Sequence, residues 1–270
     1  MKNKPMKTVL WGVLAVLVAC AAACSSTEEA AKQKDEARVR QETALRMWRE
    51  RCQQAGEKIY KTVEDVDGIF LLKTRSFEAG DHYDQFSMSD PYGKDNFGEG
   101  YITSFMKGYN TRGLSAGEDL SIREKGYSFV DANDPKSGSL HRYTPRIEEP
   151  WQIDKSYLKG YTRLDMDSTP ITEKQRARYG VTYDDISTKE ERDHWIAGSS
   201  LRVIDMDTGE VLAERIGYMV DWAQGSTAGG RAPWLFAADN ACPAFPEKRG
   251  FVGQRHQTYR FVEKILKPSK

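Results

Sequence analysis

The chain has few cysteines, no net charge and no apolar run long enough for an ordinary membrane span. Four cysteines in 270 residues are too sparse for a disulfide-dense miniature scaffold. Basic and acidic residues are equal, 40 of each. That balance excludes a strongly polycationic nucleic-acid binder and an acidic or basic disordered chain. Apolar residues at 39% and charged residues at 30% exclude a polytopic membrane protein. Catalytic signatures are also missing. There is no Gly-x-Ser-x-Gly nucleophile elbow. The stretch Gly225-Ser226-Thr227-Ala228-Gly229-Gly230 lacks the Gly-Lys-Ser/Thr of a phosphate loop and reads as a mobile loop.

What is present is clearest at the start. Lys2, Lys4 and Lys7 make a basic beginning, and Thr8 to Ala19 carries no charge. The length of that run fits a signal-peptide core rather than a spanning helix. Leu17-Val18-Ala19-Cys20 then resembles the lipobox of bacterial lipoproteins. Ala21-Ala22-Ala23-Cys24, followed by Ser25-Ser26, is an alternative in which Cys24 takes the lipid. The resemblance implies cleavage before an acylated Cys, Cys20 in the favoured reading. Neither cysteine is followed by Asp, so the implied address is the outer membrane, facing the periplasm. Several acyl chains on one Cys would anchor the protein without a membrane span. Loss of the three leader lysines leaves acidic residues in slight excess.

The expected organisation is therefore a signal peptide over 1–19, a lipidated charged helical tether over 20–43, and one periplasmic domain over 44–270. From Thr27 to Ile59 there is no proline, and Ala44, Trp48, Cys52, Ala55 and Ile59 recur at helical spacing, predicting an amphipathic end to the tether helix. Ile69–Lys73 reads as a core strand, and residues 76–100 as a long irregular connection. Gly100–Met106, Gly126–Asp131 and Tyr157–Met166 read as further strands, with a turn at 133–138. Ser200–Asp221, with Asp207-Thr208-Gly209-Glu210 between two alternating runs, predicts a hairpin. Thr188–Trp195 and His256–Leu266 predict short helices. These elements predict an α+β fold: one domain with an antiparallel sheet, a long N-terminal helix and a short C-terminal one.

Cys52 and Cys242 are the only cysteines of the domain, and an oxidising periplasm allows them to pair; two separate buried thiols are the alternative. Neither has a second Cys or a His at zinc-ligand spacing, so no metal or cofactor is expected. Asp165/Asp167 and Asp205/Asp207 invite a calcium reading, but no Glu closes the loop as a calcium site requires. Asp207 and Gly209 are explained by the turn alone. His82 and His194 each sit beside a carboxylate and are the candidates for a general base, although no activated Ser or Cys accompanies them in sequence.

The most distinctive segment runs from Arg231 to Pro246, with large apolar residues, three prolines and Cys242. Trp234, Leu235, Phe236, Asp239 and Asn240 are its candidate binding surface, against a plainer role in core packing. Trp234–Pro246 and Arg51–Val63 are similar to uncharacterised proteobacterial lipoproteins, a resemblance that brings no activity with it. The expected function is that of a membrane-anchored binding module for an envelope protein, a secretion component or a toxin, without nucleic acid. The alternative is a periplasmic hydrolase built on His82 or His194.

Overall fold

The computed structural model describes residues 6–76, 80–94, 96–106, 126–135, 137–148, 163–245 and 250–269, with side chains from Glu28 onward except at 147–148 and 163–164. Helix α1 (Met6–Cys52) is followed by β1 (Gly56–Ile59), β2 (Val63–Val66) and β3 (Gly68–Leu71). Then come α2 (Glu99–Ser104), β4 (Phe129–Asn133), β5 (Leu140–Glu148), β6 (Arg163–Pro170) and β7 (Tyr179–Asp185). The rest is α3 (Lys189–Asp193), β8 (Ile196–Asp205), β9 (Val211–Val220), α4 (Pro233–Ala237), β10 (Ala241–Cys242), α5 (Gly250–Gln254), α6 (Gln257–Ile265) and β11 (Leu266–Pro268). The fold is α+β.

One large sheet has the order β1-β9-β8-β7-β3-β4-β5-β6, with β10 added beside β9. Antiparallel pairing dominates, as expected, but β3 lies parallel to both β4 and β7. The sheet is therefore mixed. Parallel neighbours need long crossovers, and α2 lies on the connection from β3 to β4. The hairpin β8–β9 is in register from Ile196↔Val220 to Val203↔Ala213. Gly209 takes φ 75° in its turn, a conformation in which a side chain would be strained.

Periodicity corrects one expectation. Gly100–Met106 is not a strand: Tyr101, Ile102, Phe105 and Met106 are all buried, at the i, i+1, i+4, i+5 spacing of one helix face. They cover the sheet together with Phe261, Val262 and Ile265 of α6, over Leu71, Val130, Val181 and Leu201. The stripe on α1 also stops early. Ala44 and Trp48 pack against Ile196, Tyr218 and Val220, but the helix ends at Cys52, and Ile59 is exposed on β1. Residues 28–42 of α1 are exposed throughout. They are laced by ion pairs Lys32–Glu36, Arg38–Asp35 and Arg38–Glu42, the means by which a helix polar all round holds itself.

Among the described residues no helix is long and apolar enough to cross a membrane. The side chains of Cys20 and Cys24, residues 157–162 of the expected strand Tyr157–Met166, and Pro246 lie outside the described residues.

Candidate interaction surface

Cys52 and Cys242 form a disulfide, with Cα atoms 5.6 Å apart. It joins the last residue of α1 to β10, whose partner is β9 at Tyr218 and Met219. The segment 233–242 is thus held at its far end by a covalent bond and a strand pairing. Its near end is held by Trp234. That residue is 1% exposed; its indole N–H donates to the Asp84 carbonyl at 2.8 Å, and its ring packs on Trp195 at 4.9 Å.

Trp234 is therefore an internal anchor and offers no contact area; a large ring at the start of a one-turn helix packs inward. The other expected surface residues divide. Phe236 is 48% exposed, with the Arg231 guanidinium 4.8 Å from its ring centre. Asp239 is exposed, and its carboxylate accepts from the Gly250 amide at 2.7 Å. Leu235 and Asn240 are half-buried. An exposed aromatic beside a cation on a braced backbone has the chemistry of an interface anchor.

The glycine-rich stretch before it is organised by one carboxylate. Asp221 is 0% exposed. It accepts from the amides of Ala223 at 3.1 Å and Gly225 at 2.8 Å, and from Arg231 Nη1 at 2.9 Å. Arg231 also donates to the Ser226 carbonyl at 2.9 Å. The expected mobile loop is thus a turn closed around an ion pair. Gly225, at φ 83°, lies so close to the Trp195 ring that a Cβ would collide with it.

The same end of the sheet receives α1. Gln41 donates to the Trp222 carbonyl at 3.0 Å, and Arg40 reaches Gln224 at 3.2 Å and the Asp193 carbonyl. Between α1 and this end runs a groove of about 1050 Å³ lined by Lys34, Arg38, Gln85, Trp195, Trp222 and Gln224 among others. Arg192 ties the parts together. It donates to the carbonyls of Gln85 and Met88, pairs with Asp185, and lies 5.3 Å from the Trp234 ring.

The histidines do not gather here. His194 caps α3, with Nδ1 3.0 Å from the Glu190 carbonyl oxygen, and makes no hydrogen bond to a serine or carboxylate among the described residues. His82 lies against Lys94, Nδ1 to Nζ 3.2 Å. Burial, followed by the charge of Arg255, pulls the Lys94 amine down to about 8. The carboxylates considered for calcium are held by arginine instead: Asp205 by the Arg178 guanidinium at 2.7 Å, and Asp167 by Arg146 at 2.9 Å. Among the described residues no group of three or more His, Cys, Asp or Glu is placed to hold a metal.

Sequence reasoning missed the buried ion pairs that build this end and its surroundings. Arg75 and Asp90 are both buried and 2.8 Å apart, with Ser199 donating to the same carboxylate at 2.9 Å. Nothing in the spacing of Arg75, Asp90, Arg192 or Asp221 distinguishes them from surface charges. Comparison of the chain with protein-family models, with curated proteins and with solved structures finds no match.

Proposed function

We propose that the protein is an envelope lipoprotein that acts by binding. In this reading Cys20, or else Cys24, carries the lipid and α1 is the tether. The domain faces the periplasm from the outer membrane and engages an envelope protein, a secretion component or a toxin. The disulfide supports an oxidising compartment. The observation that carries the binding role is Phe236. It is an exposed large ring on a segment braced by Trp234 on one side and Cys242 on the other, so little ordering entropy opposes its burial by a partner.

Two experiments test the reading. Palmitate labelling is expected in the wild type and abolished by Cys20→Ser; loss in Cys24→Ser instead moves the lipid to Cys24, and no labelling of the wild type removes the anchor. A photo-crosslinking residue at position 236 is expected to yield a discrete adduct in intact cells, with none at the exposed Glu173. Equal adducts at both positions would sink the assignment of the surface.

A further inference from the structure

Arg215 sits in the middle of β9, on the sheet face covered by α6, and its side chain is 5% exposed. Nη1 donates to the carbonyl of Gln257, the first residue of α6, at 3.3 Å. Nε and Nη2 are buried and have no hydrogen-bond acceptor among the described residues. Those two nitrogens form one edge of the guanidinium, and the protein shows elsewhere what that edge is used for. Arg142 presents Nε and Nη2 to the two oxygens of Asp131 at 2.8 and 2.9 Å. Arg178 presents the same pair to Asp205, Nε to Oδ1 at 3.2 Å and Nη2 to Oδ2 at 2.7 Å. A parallel two-point grip on a carboxylate or phosphate is the geometry for which a guanidinium is suited.

At Arg215 no side chain among the described residues supplies the acceptor. The carboxylate opposite it in the β1–β9 register is Glu57. Both oxygens of Glu57 are engaged by Lys264, at 2.9 and 2.7 Å. The surroundings suit an anion. The rings of Tyr92 and Phe261 stand 5.7 and 5.5 Å from the guanidinium carbon, and such walls keep the dielectric low and strengthen an ionic contact. The first turn of α6 has neither a side-chain cap nor an acidic residue, so the positive end of the helix dipole adds to the same field. Tyr92 has its phenol pushed up to about 12, by burial first, and so keeps its proton and remains a donor. A buried guanidinium with one edge unsatisfied is costly to the fold, which favours a ligand that satisfies it.

We propose that Arg215, with Tyr92 and the first turn of α6, forms a buried binding site for an oxyanion presenting two coplanar oxygens, a carboxylate or a phosphate-type group. The site is independent of the lipid anchor and of the Phe236 surface.

The test is thermal and denaturant unfolding of the mature chain at fixed ionic strength, with acetate, inorganic phosphate or chloride as the varied anion. Binding to the folded state alone multiplies the folding constant by one plus the ratio of ligand to Kd, about 11-fold at ten times Kd. Acetate or phosphate is expected to stabilise the wild type in this saturable way, with chloride weaker. The more effective of acetate and phosphate identifies the source as carboxylate or phosphate. Arg215→Met, which keeps the length and removes the charge, is expected to lose the effect; Arg215→Lys, which keeps the charge without the two-point edge, is expected to retain only a fraction. If Arg215→Met does not fold, titration calorimetry of Arg215→Lys against the wild type gives the same comparison. No oxyanion dependence in the wild type, or an equal dependence in the variants, overturns the site.

Discussion

Glu191, buried in the first turn of α3, is ion-paired with Arg51 in the last turn of α1, across 140 residues of sequence. The same carboxylate closes a capping box, accepting from the Thr188 amide while the Thr188 hydroxyl accepts from the Glu191 amide at 3.2 Å. One side chain therefore starts α3 and holds the end of α1. Glu191→Ala is expected to cost about 2 kcal/mol, since a lost cap alone costs about 1 kcal/mol and a hydrogen-bonded charge somewhat more. Urea unfolding measures it. Arg51→Ala keeps the cap but leaves the buried Glu191 carboxylate without its cation, at an expected cost of about 1–3 kcal/mol.

Reduction of the disulfide, or Cys52→Ser, is expected to lower stability by roughly 2–5 kcal/mol, because it restores conformational freedom to a long loop in the unfolded chain. The folded domain should retain its sheet by circular dichroism. Unfolding midpoints with and without reductant provide the comparison, and identical midpoints would show that the bond contributes nothing.

Asp221→Ala leaves Arg231 half-buried without its carboxylate and opens the turn around Ala223 and Gly225. The expected cost is about 3 kcal/mol, at the low end for a broken buried pair. Hydrogen exchange should localise the damage. The amides of Ala223 and Gly225 should exchange faster, while that of Val181 in β7 changes only with global stability.

Acid should weaken the fold through Asp205. Hydrogen bonds from Arg178, ahead of any other influence, hold its carboxyl below the usual carboxylate value of 3.8. A carboxyl depressed in the folded state contributes stability that is fully present above the unfolded value, and is lost as pH falls through the folded one. Arg178→Gln is expected to be less stable than the wild type at pH 7, with the gap closing below pH 3.8. Denaturant melts from pH 2 to pH 7 follow it; a gap that persists at pH 2 would assign the effect to packing instead.

The hairpin β8–β9, the capped helix α3 and the terminal helix α6 were legible because local signals decide them: a turn glycine, a capping Thr, an apolar helical face. The disulfide was legible because the domain has only two cysteines. Helix α2 was misread because Tyr101, Phe105 and their apolar neighbours suit a strand by residue type, and only their spacing identifies a helix. The parallel placement of β3 depends on pairing with strands that follow only after long connections, which no short window contains. The candidate surface was half legible. Phe236 and Asp239 are exposed where expected, but Trp234, identical in chemistry to a surface anchor, is consumed by the packing that holds them. Arg215 carries no sequence signal, because its significance lies in which acceptors fail to reach it.

The exposed part of α1 carries a consequence for geometry. Its docked end is clamped to the domain by the disulfide, by Arg51–Glu191 and by the contacts of Arg40 and Gln41. A helix advances about 1.5 Å and turns about 100° per residue, so residues 28–39, ahead of the first docking hydrogen bond, act as a shaft of about 18 Å rather than a cord. Such a shaft transmits azimuth as well as reach. Removing one residue from it is predicted to shorten it negligibly yet swing the Phe236 side of the domain by more than a quarter turn, whereas removing seven, close to two full turns, shortens it and restores the heading.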